Sequence, residues 1–266
     1  MFVGFRDVMF VDTHTHLYLE AFSPDRDMTI RRALDAGVSR MLLPNIDVST
    51  IPSLFQMSEQ YSGICLPMMG LHPTSVKQDY KQELASVEEN LDYPGVIAVG
   101  EIGIDLYWDQ TYVREQEEAF RRQIGWAKER DLPIVIHARD SFQEIFRVLD
   151  HEEIHGLNGV FHSFTGNSEE LKKALSYGFM IGINGIVTFK NSDLSSLVPM
   201  IPQDRILLET DAPFLAPVPF RGKRNESSYL VNVADRVAEI YNLTVEELGE
   251  ITTRNAELLF KLSSPK

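Results

Sequence analysis

Ile134-Val135-Ile136-His137-Ala138-Arg139 and, further on, Gly159-Val160-Phe161-His162 bracket the amphipathic run Ser141–Leu149. The two apolar runs show no alternation, which marks strands buried on both faces and therefore a parallel sheet. Parallel neighbours need a crossover, and the run between them has the helical period to make one. Each strand ends on a histidine. A strand–helix–strand unit with polar chemistry at the strand's C-terminal end sets the reading of the sequence on either side.

Towards the N-terminus the same kind of run recurs at Val96–Val99, Ile64–Met69, Val38–Leu43 and Val8–Val11; towards the C-terminus it recurs at Phe179–Ile183 and Ile206–Leu208. Helical stretches lie between them. Met28–Ala36 stops at Gly37, a residue suited to the position just after a helix, and Ser168–Tyr177 follows Asn167 and stops at Gly178. The longest, Tyr112–Arg130, aligns Phe120, Ile124 and Ala127 on one face, with Glu117/Arg121 and Glu118/Arg122 one turn apart on the other. After the last strand come Tyr229–Tyr241 and Val245–Phe260, the second introduced by a capping box of Thr244 and Glu247. Eight strands in 266 residues, about 33 per unit, predict an α/β protein. The expected form is a (β/α)8 TIM barrel, a single domain over residues 1–266 with extra C-terminal helices. An open doubly wound sheet is the alternative, but no glycine-rich phosphate loop follows the first strand.

The chain carries 25 Lys and Arg against 39 Asp and Glu, a formal charge of −14, with 44% hydrophobic and 24% charged residues. That composition excludes collagen, coiled coil and a wholly disordered chain. The single cysteine, Cys65, excludes a disulfide framework and a cysteine-rich zinc site; inside the third strand it reads as a small core residue. No run approaches the roughly 18 apolar residues of a membrane span. Met1–Phe10 is mostly apolar, but Arg6 and Asp7 interrupt it and no small-residue cleavage site follows, so a cytoplasmic protein is expected. The negative charge argues against wrapping a long duplex, because phosphate contacts need clustered Lys and Arg. It leaves room for a strand end in a local basic or metal-lined pocket.

Barrel active sites are built at the C-terminal ends of the strands, and the polar residues gather there. Val11-Asp12-Thr13-His14-Thr15-His16 ends the first strand, and a side-chain period of two points both imidazoles to one side. The fourth strand leads into Val99-Gly100-Glu101-Ile102-Gly103, a carboxylate whose glycine flanks leave room for other groups. His137 and His162 close the fifth and sixth strands, and Leu207-Leu208-Glu209-Thr210-Asp211-Ala212-Pro213 closes the eighth. One histidine after an apolar strand is an ordinary core residue. Four histidines and two carboxylates at the same end of five strands are a candidate ligand set. Catalytic zinc typically takes three protein ligands plus water, so six candidates suit a two-metal centre with a bridging carboxylate and an activated water. Imidazole and carboxylate donors suit Zn, Mn, Fe or Mg.

Further candidates surround that end. Arg221, Lys223 and Arg224 fall in the loop after the eighth strand, a frequent phosphate site in barrels. Arg139 lies two residues past His137, and His72 sits in a Gly-x-His-Pro turn after the third strand; all five are candidate substrate-binding groups. Trp108, in the loop beyond Asp105, reads either as a base-stacking platform or as a loop anchor, and Trp126, in the long helix, as packing. His151-Glu152-Glu153-Ile154-His155 matches the H-E-x-x-H zinc pattern, but it falls at the end of a helical run, just before Gly156 and Gly159. That places it at the opposite end of the barrel.

The ordered motifs resemble those of the TatD-like metal-dependent deoxyribonucleases, in the amidohydrolase-type barrel group, over essentially the whole chain. They are the Val11–His16 segment, Gly70-Leu71-His72-Pro73, Gly100-Glu101-Ile102-Gly103-Ile104-Asp105, Ile136-His137-Ala138-Arg139, Phe161-His162-Ser163-Phe164-Thr165-Gly166, Glu209-Thr210-Asp211-Ala212-Pro213 and Arg221-Gly222-Lys223-Arg224-Asn225. The chain departs from the pattern at Ser227, where the family commonly has Pro, and at Phe220, where His is frequent. The resemblance implies two divalent metal ions (Mg, Mn or Zn), with His14 and His16 on one, His137 and His162 on the other, and Glu101 bridging them. Asp211 would hold one ion and contact the attacking water, making Asp211 and Glu101 the catalytic carboxylates. It also implies exonuclease-type hydrolysis of DNA ends or short oligonucleotides, and no obligate protein partner is evident. A metal-dependent hydrolase of a small amide, lactone or ester is the alternative on the same barrel. A non-catalytic binding protein is a third reading, which the complete ligand set opposes.

Overall fold

The computed structural model describes residues 9–152 and 154–262. Val8, expected in the first strand, and Glu153, of the H-E-x-x-H match, lie outside the described residues. Eight parallel strands follow one another: β1 (Phe10–Asp12), β2 (Val38–Pro44), β3 (Cys65–Met68), β4 (Val99–Asp105), β5 (Ile134–Arg139), β6 (Gly159–Phe161), β7 (Met180–Ile183) and β8 (Ile206–Leu208). Pairing runs in chain order through β1-β2-β3 and through β4-β5-β6-β7-β8. Bridges between Met69 and Val99 and between Thr15 and Ala212 join the two groups and close the barrel. At the second seam Asp211 N donates to His14 O (2.9 Å) and His16 N to Ala212 O (2.7 Å). The backbone that carries the two N-terminal imidazoles is therefore stitched to the backbone that carries Asp211.

The helices are α1 (Arg26–Asp35), α2 (Ile51–Gln60), α3 (Tyr80–Glu89), α4 (Val113–Arg130), α5 (Phe142–His151), α6 (Ser168–Ser176), the short α7 (Leu194–Leu197), α8 (Leu230–Tyr241) and α9 (Val245–Leu259). No helix among the described residues is long and apolar enough to cross a membrane. The unbroken apolar strands have a two-layer explanation. Ile134 and Ile136 face outward into the large cluster that includes Phe120 of α4 and Ile145 of α5, whereas Val135 faces inward. Val11, Leu42, Met68, Ala98, Val135, Val160, Met180 and Leu207, drawn from all eight staves, fill the lower interior. Ala256, Leu259 and Phe260 complete that cluster from below. The last helix is tied there by Thr253 Oγ1 donating to Met9 O (2.7 Å) and by Asn255 Nδ2 donating to Gln203 O (2.8 Å) and Ile206 O (2.9 Å). The extra C-terminal helix is thus a floor for the N-terminal end of the barrel, and burying each such side chain contributes about 1.5–3 kcal/mol.

β6 and β8 have the predicted bounds, and the capping box of α9 forms, with Glu247 N donating to Thr244 Oγ1 (3.1 Å) and Thr244 N to Glu247 Oε2 (2.8 Å). Three expectations are corrected. The apolar run places the fourth strand at Val96–Val99, but it starts at Val99 and runs to Asp105, because the ladder continues past Gly100, a bulge at Glu101 and Gly103 although the apolar run does not. Helices α2 and α3 were not anticipated; each buries only a narrow stripe, Ile51, Leu54 and Met57 in one and Tyr80, Leu84 and Val87 in the other. The charged pairs expected along α4 are made between helices instead: Arg121 with Glu152 (3.1 Å), Arg122 with Glu88 (2.9 Å) and Glu117 with Arg147 (2.7 Å). Helices ringed side by side bring a neighbour's carboxylate within reach, so the long side chains bridge helices rather than turns. The H-E-x-x-H match lies off any single helix, since α5 ends at His151 and the backbone is extended at Glu152.

Candidate metal centre and active site

A bulge aims the central carboxylate. The β4–β5 register pairs Gly100 with Val135 and Ile102 with Ile136, leaving Glu101 as the extra residue; the Gly100–Glu101 peptide is cis. Glu101 is 2% exposed, and its two oxygens face different imidazoles. Oε2 lies 3.1 Å from His14 Nε2 and 4.0 Å from His16 Nε2, while Oε1 lies 2.8 Å from His137 Nδ1, 3.3 Å from His72 Nε2 and 3.6 Å from His162 Nε2. Asp211 Oδ1 lies 3.5 Å from His16 Nε2 and 4.0 Å from His14 Nε2. Asp211 holds a left-handed backbone (φ 57°), a conformation that Asp tolerates better than most residues. Four of the expected histidines and both expected carboxylates therefore converge. Potential donor atoms fall into three close sets: His14, His16 and Glu101; His14, His162 and Asp211; His72, Glu101 and His137.

The outer nitrogens of three of these rings lie against acceptors that orient them. His16 Nδ1 lies 3.1 Å from the Tyr18 hydroxyl, which itself donates to Pro44 O (2.6 Å) and so accepts from the imidazole. His137 Nε2 lies 2.8 Å from Asp105 Oδ2, and His162 Nδ1 lies 3.0 Å from Glu209 Oε1. With a divalent ion bound, these outer contacts would hold each ring with its inner nitrogen towards Glu101 or Asp211. Inner nitrogens this close to buried carboxylates call for positive charge, carried by protons on the imidazoles or by a shared cation. The buried His14 Nδ1 and His162 Nδ1 make no hydrogen bond, the latter despite its 3.0 Å approach to Glu209, and the His14 and His162 rings stack with centroids 3.3 Å apart. The donor set thus fits divalent metal, with nitrogen and oxygen ligands rather than sulfur.

Electrostatics agree with that fit. Burial opposes ionisation of Glu101, but the surrounding His72, His14 and His162 hold its carboxyl well below the usual range. Burial likewise opposes charge on Asp211, and its hydrogen bond with His16 outweighs this, leaving the pKa lowered. Burial pushes His14 down to about 4. His162 is driven the other way, to about 10, because Glu209 and Glu101 overcome its burial. Without a metal ion, protonated imidazoles balance the ionised carboxylates in this dry interior, a role that a divalent ion would take over.

His72 belongs to the cluster but not to the same class. Thr74 N donates to its Nδ1 (3.1 Å), which leaves the proton on Nε2. That nitrogen is a donor, 3.3 Å from Glu101 Oε1 and 3.3 Å from His137 Nδ1. Arg139 is exposed at the end of β5, and its guanidinium lies 4.3 Å from the Tyr107 ring centroid. Arg221 covers the Phe189 ring at 4.2 Å, and Lys223 lies 5.8 Å from the Phe220 ring centroid. Arg224 departs from expectation. It donates to Asp25 Oδ1 (2.7 Å), Asp25 Oδ2 (2.8 Å) and Ala21 O (2.7 Å), so its charge is committed to the fold. Sequence reasoning missed Asp105 and Glu209. Both stand in the quoted motifs, and the signal was a second carboxylate at even spacing beside each chosen one. Phe220 stacks on Tyr229 with centroids 3.9 Å apart, and Ser227 Oγ donates to Thr15 Oγ1 (3.4 Å), so the two departures from the motif pattern are built into the loop's packing.

A (β/α)8 barrel with imidazoles and carboxylates at the C-terminal ends of its strands defines a metal-dependent hydrolase. Residues 11–261 match the family described as TatD related DNase, and the chain belongs to that family. It is 40% identical to the uncharacterized metal-dependent hydrolase YabD of Bacillus subtilis (strain 168) over 256 residues, covering 96% of this chain and 100% of that protein. It is 33% identical to the 3'-5' ssDNA/RNA exonuclease TatD of Pantoea vagans (strain C9-1), covering 95% of this chain and 99% of that one. Among solved structures it is similar to YJJV, a TatD homolog from Escherichia coli K12, with a TM-score of 0.90, 27% identity, and 96% and 98% of the two chains covered.

Proposed function

We propose that the protein hydrolyses phosphodiester bonds at the ends of single-stranded DNA, in the cytoplasm, using two divalent cations held on either side of Glu101. His14, His16 and Asp211 would hold one cation and His137 and His162 the other, with Glu101 a donor to both. Bound there, the cations would supply Lewis-acid polarisation of the phosphate and a more acidic water. The chain's own groups do the rest. Glu101 keeps the two halves of the site in register, and Asp105, Glu209 and Tyr18 keep the imidazole lone pairs aimed inward. Asp211 Oδ1 takes the proton of the attacking water; its side chain is 15% exposed against 3% for Glu101, so it is the carboxylate that water reaches. Oxygen from water bonds to phosphorus, the bond from phosphorus to the leaving sugar oxygen breaks, and that oxygen takes a proton from solvent while Asp211 returns its own to solvent. His72 Nε2–H, Arg139, Arg221 and Lys223 donate to phosphate oxygens.

The observation that carries the substrate class is a cavity of about 800 Å³ beside β6, β7 and β8, lined by Phe164, Ile186, Phe189, Leu215 and Arg221. A guanidinium over an aromatic wall suits a phosphate attached to a flat base. Relatives named as single-strand exonucleases support the same substrate. The test is end-labelled oligonucleotides with a series of divalent metals, alongside a panel of lactones and carboxylic esters. Metal-dependent shortening of the oligonucleotide, reduced in Arg221→Ala/Lys223→Ala, supports the reading. Turnover confined to the esters or lactones, indifferent to those two changes, replaces it with the small-molecule alternative.

A further inference from the structure

The loop after β4 is pinned by polar groups, and its aromatic side chains are not what pins it. Asp105 Oδ1 accepts the N–H groups of Tyr107 and Trp108, each at 3.0 Å. Gln110 Nε2 donates to Leu106 O (2.9 Å), Thr111 N to Asp109 Oδ1 (2.8 Å), and Lys77 Nζ to Asp109 Oδ2 (3.0 Å). Yet Trp108 is 70% exposed and Tyr107 54% exposed, with their rings edge to face at 5.0 Å. A loop anchor buries its ring. Here a fixed backbone holds an indole out in water, where its apolar surface is unfavourably hydrated.

That surface is linked to the candidate metal cluster through Arg139 and Asp105. Leu106 N donates to Arg139 O (3.0 Å), and the Arg139 guanidinium lies over Tyr107, so a cation and two aromatic rings form one patch at the mouth of the barrel. The same Asp105 that fixes the turn through Oδ1 holds His137 through Oδ2. One carboxylate sets both the patch and an imidazole facing Glu101.

We propose that Tyr107, Trp108 and Arg139 form a subsite for one unpaired nucleotide, with Trp108 stacking on its base and Arg139 on the adjoining phosphate. The inference rests on the phosphodiesterase reading and states how that site takes a single strand. Bases in a duplex have both faces covered by their neighbours, so an indole at the mouth engages a base only after it has left the stack. Asp105 is a positioning residue that holds this subsite and His137 in fixed relation.

Steady-state kinetics of the metal-loaded enzyme test it with two substrates, an oligo-dT strand and a strand of the same length whose terminal residues are abasic. Trp108→Ala should raise KM for oligo-dT about tenfold, with kcat changed by less than about twofold. Trp108→Phe should restore most of the loss, and the abasic strand should be cut alike by wild type and Trp108→Ala. Equal losses on both strands, or no loss on oligo-dT, overturn the subsite. If the wild type cuts neither strand, the phosphodiesterase reading fails, and the subsite is then read from tryptophan emission. Trp126 is 3% exposed, so quenching by oligo-dT and not by the abasic strand reports Trp108 and supports the subsite. Absence of quenching overturns it.

Discussion

Glu209 Oε1 lies 3.0 Å from His162 Nδ1, and Gly182 on the neighbouring strand is what makes room for it. A Cβ at position 182 would come within 2.4 Å of Glu209 Oε2. Glu209 Oε1 also accepts Ser163 N at 2.6 Å, so the carboxylate is fixed from two directions. Gly182→Ala should displace it and loosen the His162 ring. Outer partners of metal-bound histidines are commonly worth about 10–100-fold in metal affinity. Competition with a chelating dye should show a loss of that order with the circular dichroism spectrum unchanged; wild-type affinity would remove Glu209 from the site's support.

Asp211→Asn suits the backbone, because Asn also accepts the left-handed conformation found there. The substitution removes the base and weakens one metal contact, so metal affinity is measured beside kcat under saturating metal. The change should lower kcat by roughly 10²–10⁴-fold with the melting temperature within a few degrees of wild type. Turnover near the wild-type rate means that another group takes the proton.

Metal removal should act on stability as well as on rate. A ligand at about 100 times its Kd stabilises the folded state by about 2.7 kcal/mol, which for a chain of this size corresponds to about 5–10 °C in Tm. Calorimetry with and without a chelator should show a fall of that order, reversed by adding back a divalent ion. The ion that restores both Tm and hydrolysis is the candidate working metal, because the tightest binder need not be the active one.

The acid limb of stability should be set partly by a network away from the metals. Arg224 hydrogen bonds hold Asp25 below its ordinary pKa of 3.8; burial opposes the ionisation of Glu226, but Arg32 at 2.7 Å keeps it below its ordinary 4.5. Both carboxylates bind protons more weakly folded than unfolded, so their stabilisation is complete above those ordinary values and is lost as pH falls through the lowered ones. Arg32→Met and Arg224→Met should each cost about 1 kcal/mol at pH 7, a modest figure because the arginines are partly exposed. Urea melts should show that deficit shrinking on acidification. A deficit that stays constant down to pH 2 would place the effect in packing.

The barrel was legible because its strands are continuous apolar runs, as in Ile134–Ile136 and Gly159–Phe161, where burial on both faces leaves no other pattern. The convergence of the six candidate positions was legible for a related reason, since a polar residue at the end of such a run has few structural reasons to be there. Partners that act at a distance were not. Asp105 and Glu209 look like any strand-end carboxylate until the fold sets them 2.8 Å from His137 and 3.0 Å from His162. Arg224 looked like part of a basic cluster because sequence shows that Asp25 exists but not that a turn 199 positions away will meet it. The role of His72 rests on which nitrogen carries the proton, and that is decided by a single backbone N–H, Thr74.

The apolar residues that fill the lower interior, with Leu259 and Phe260 beneath them, make the barrel a cup and not a tube. On the proposed reading, a strand would therefore enter and its products leave by the same end of the barrel, and product release at that single doorway would become a natural limit on turnover.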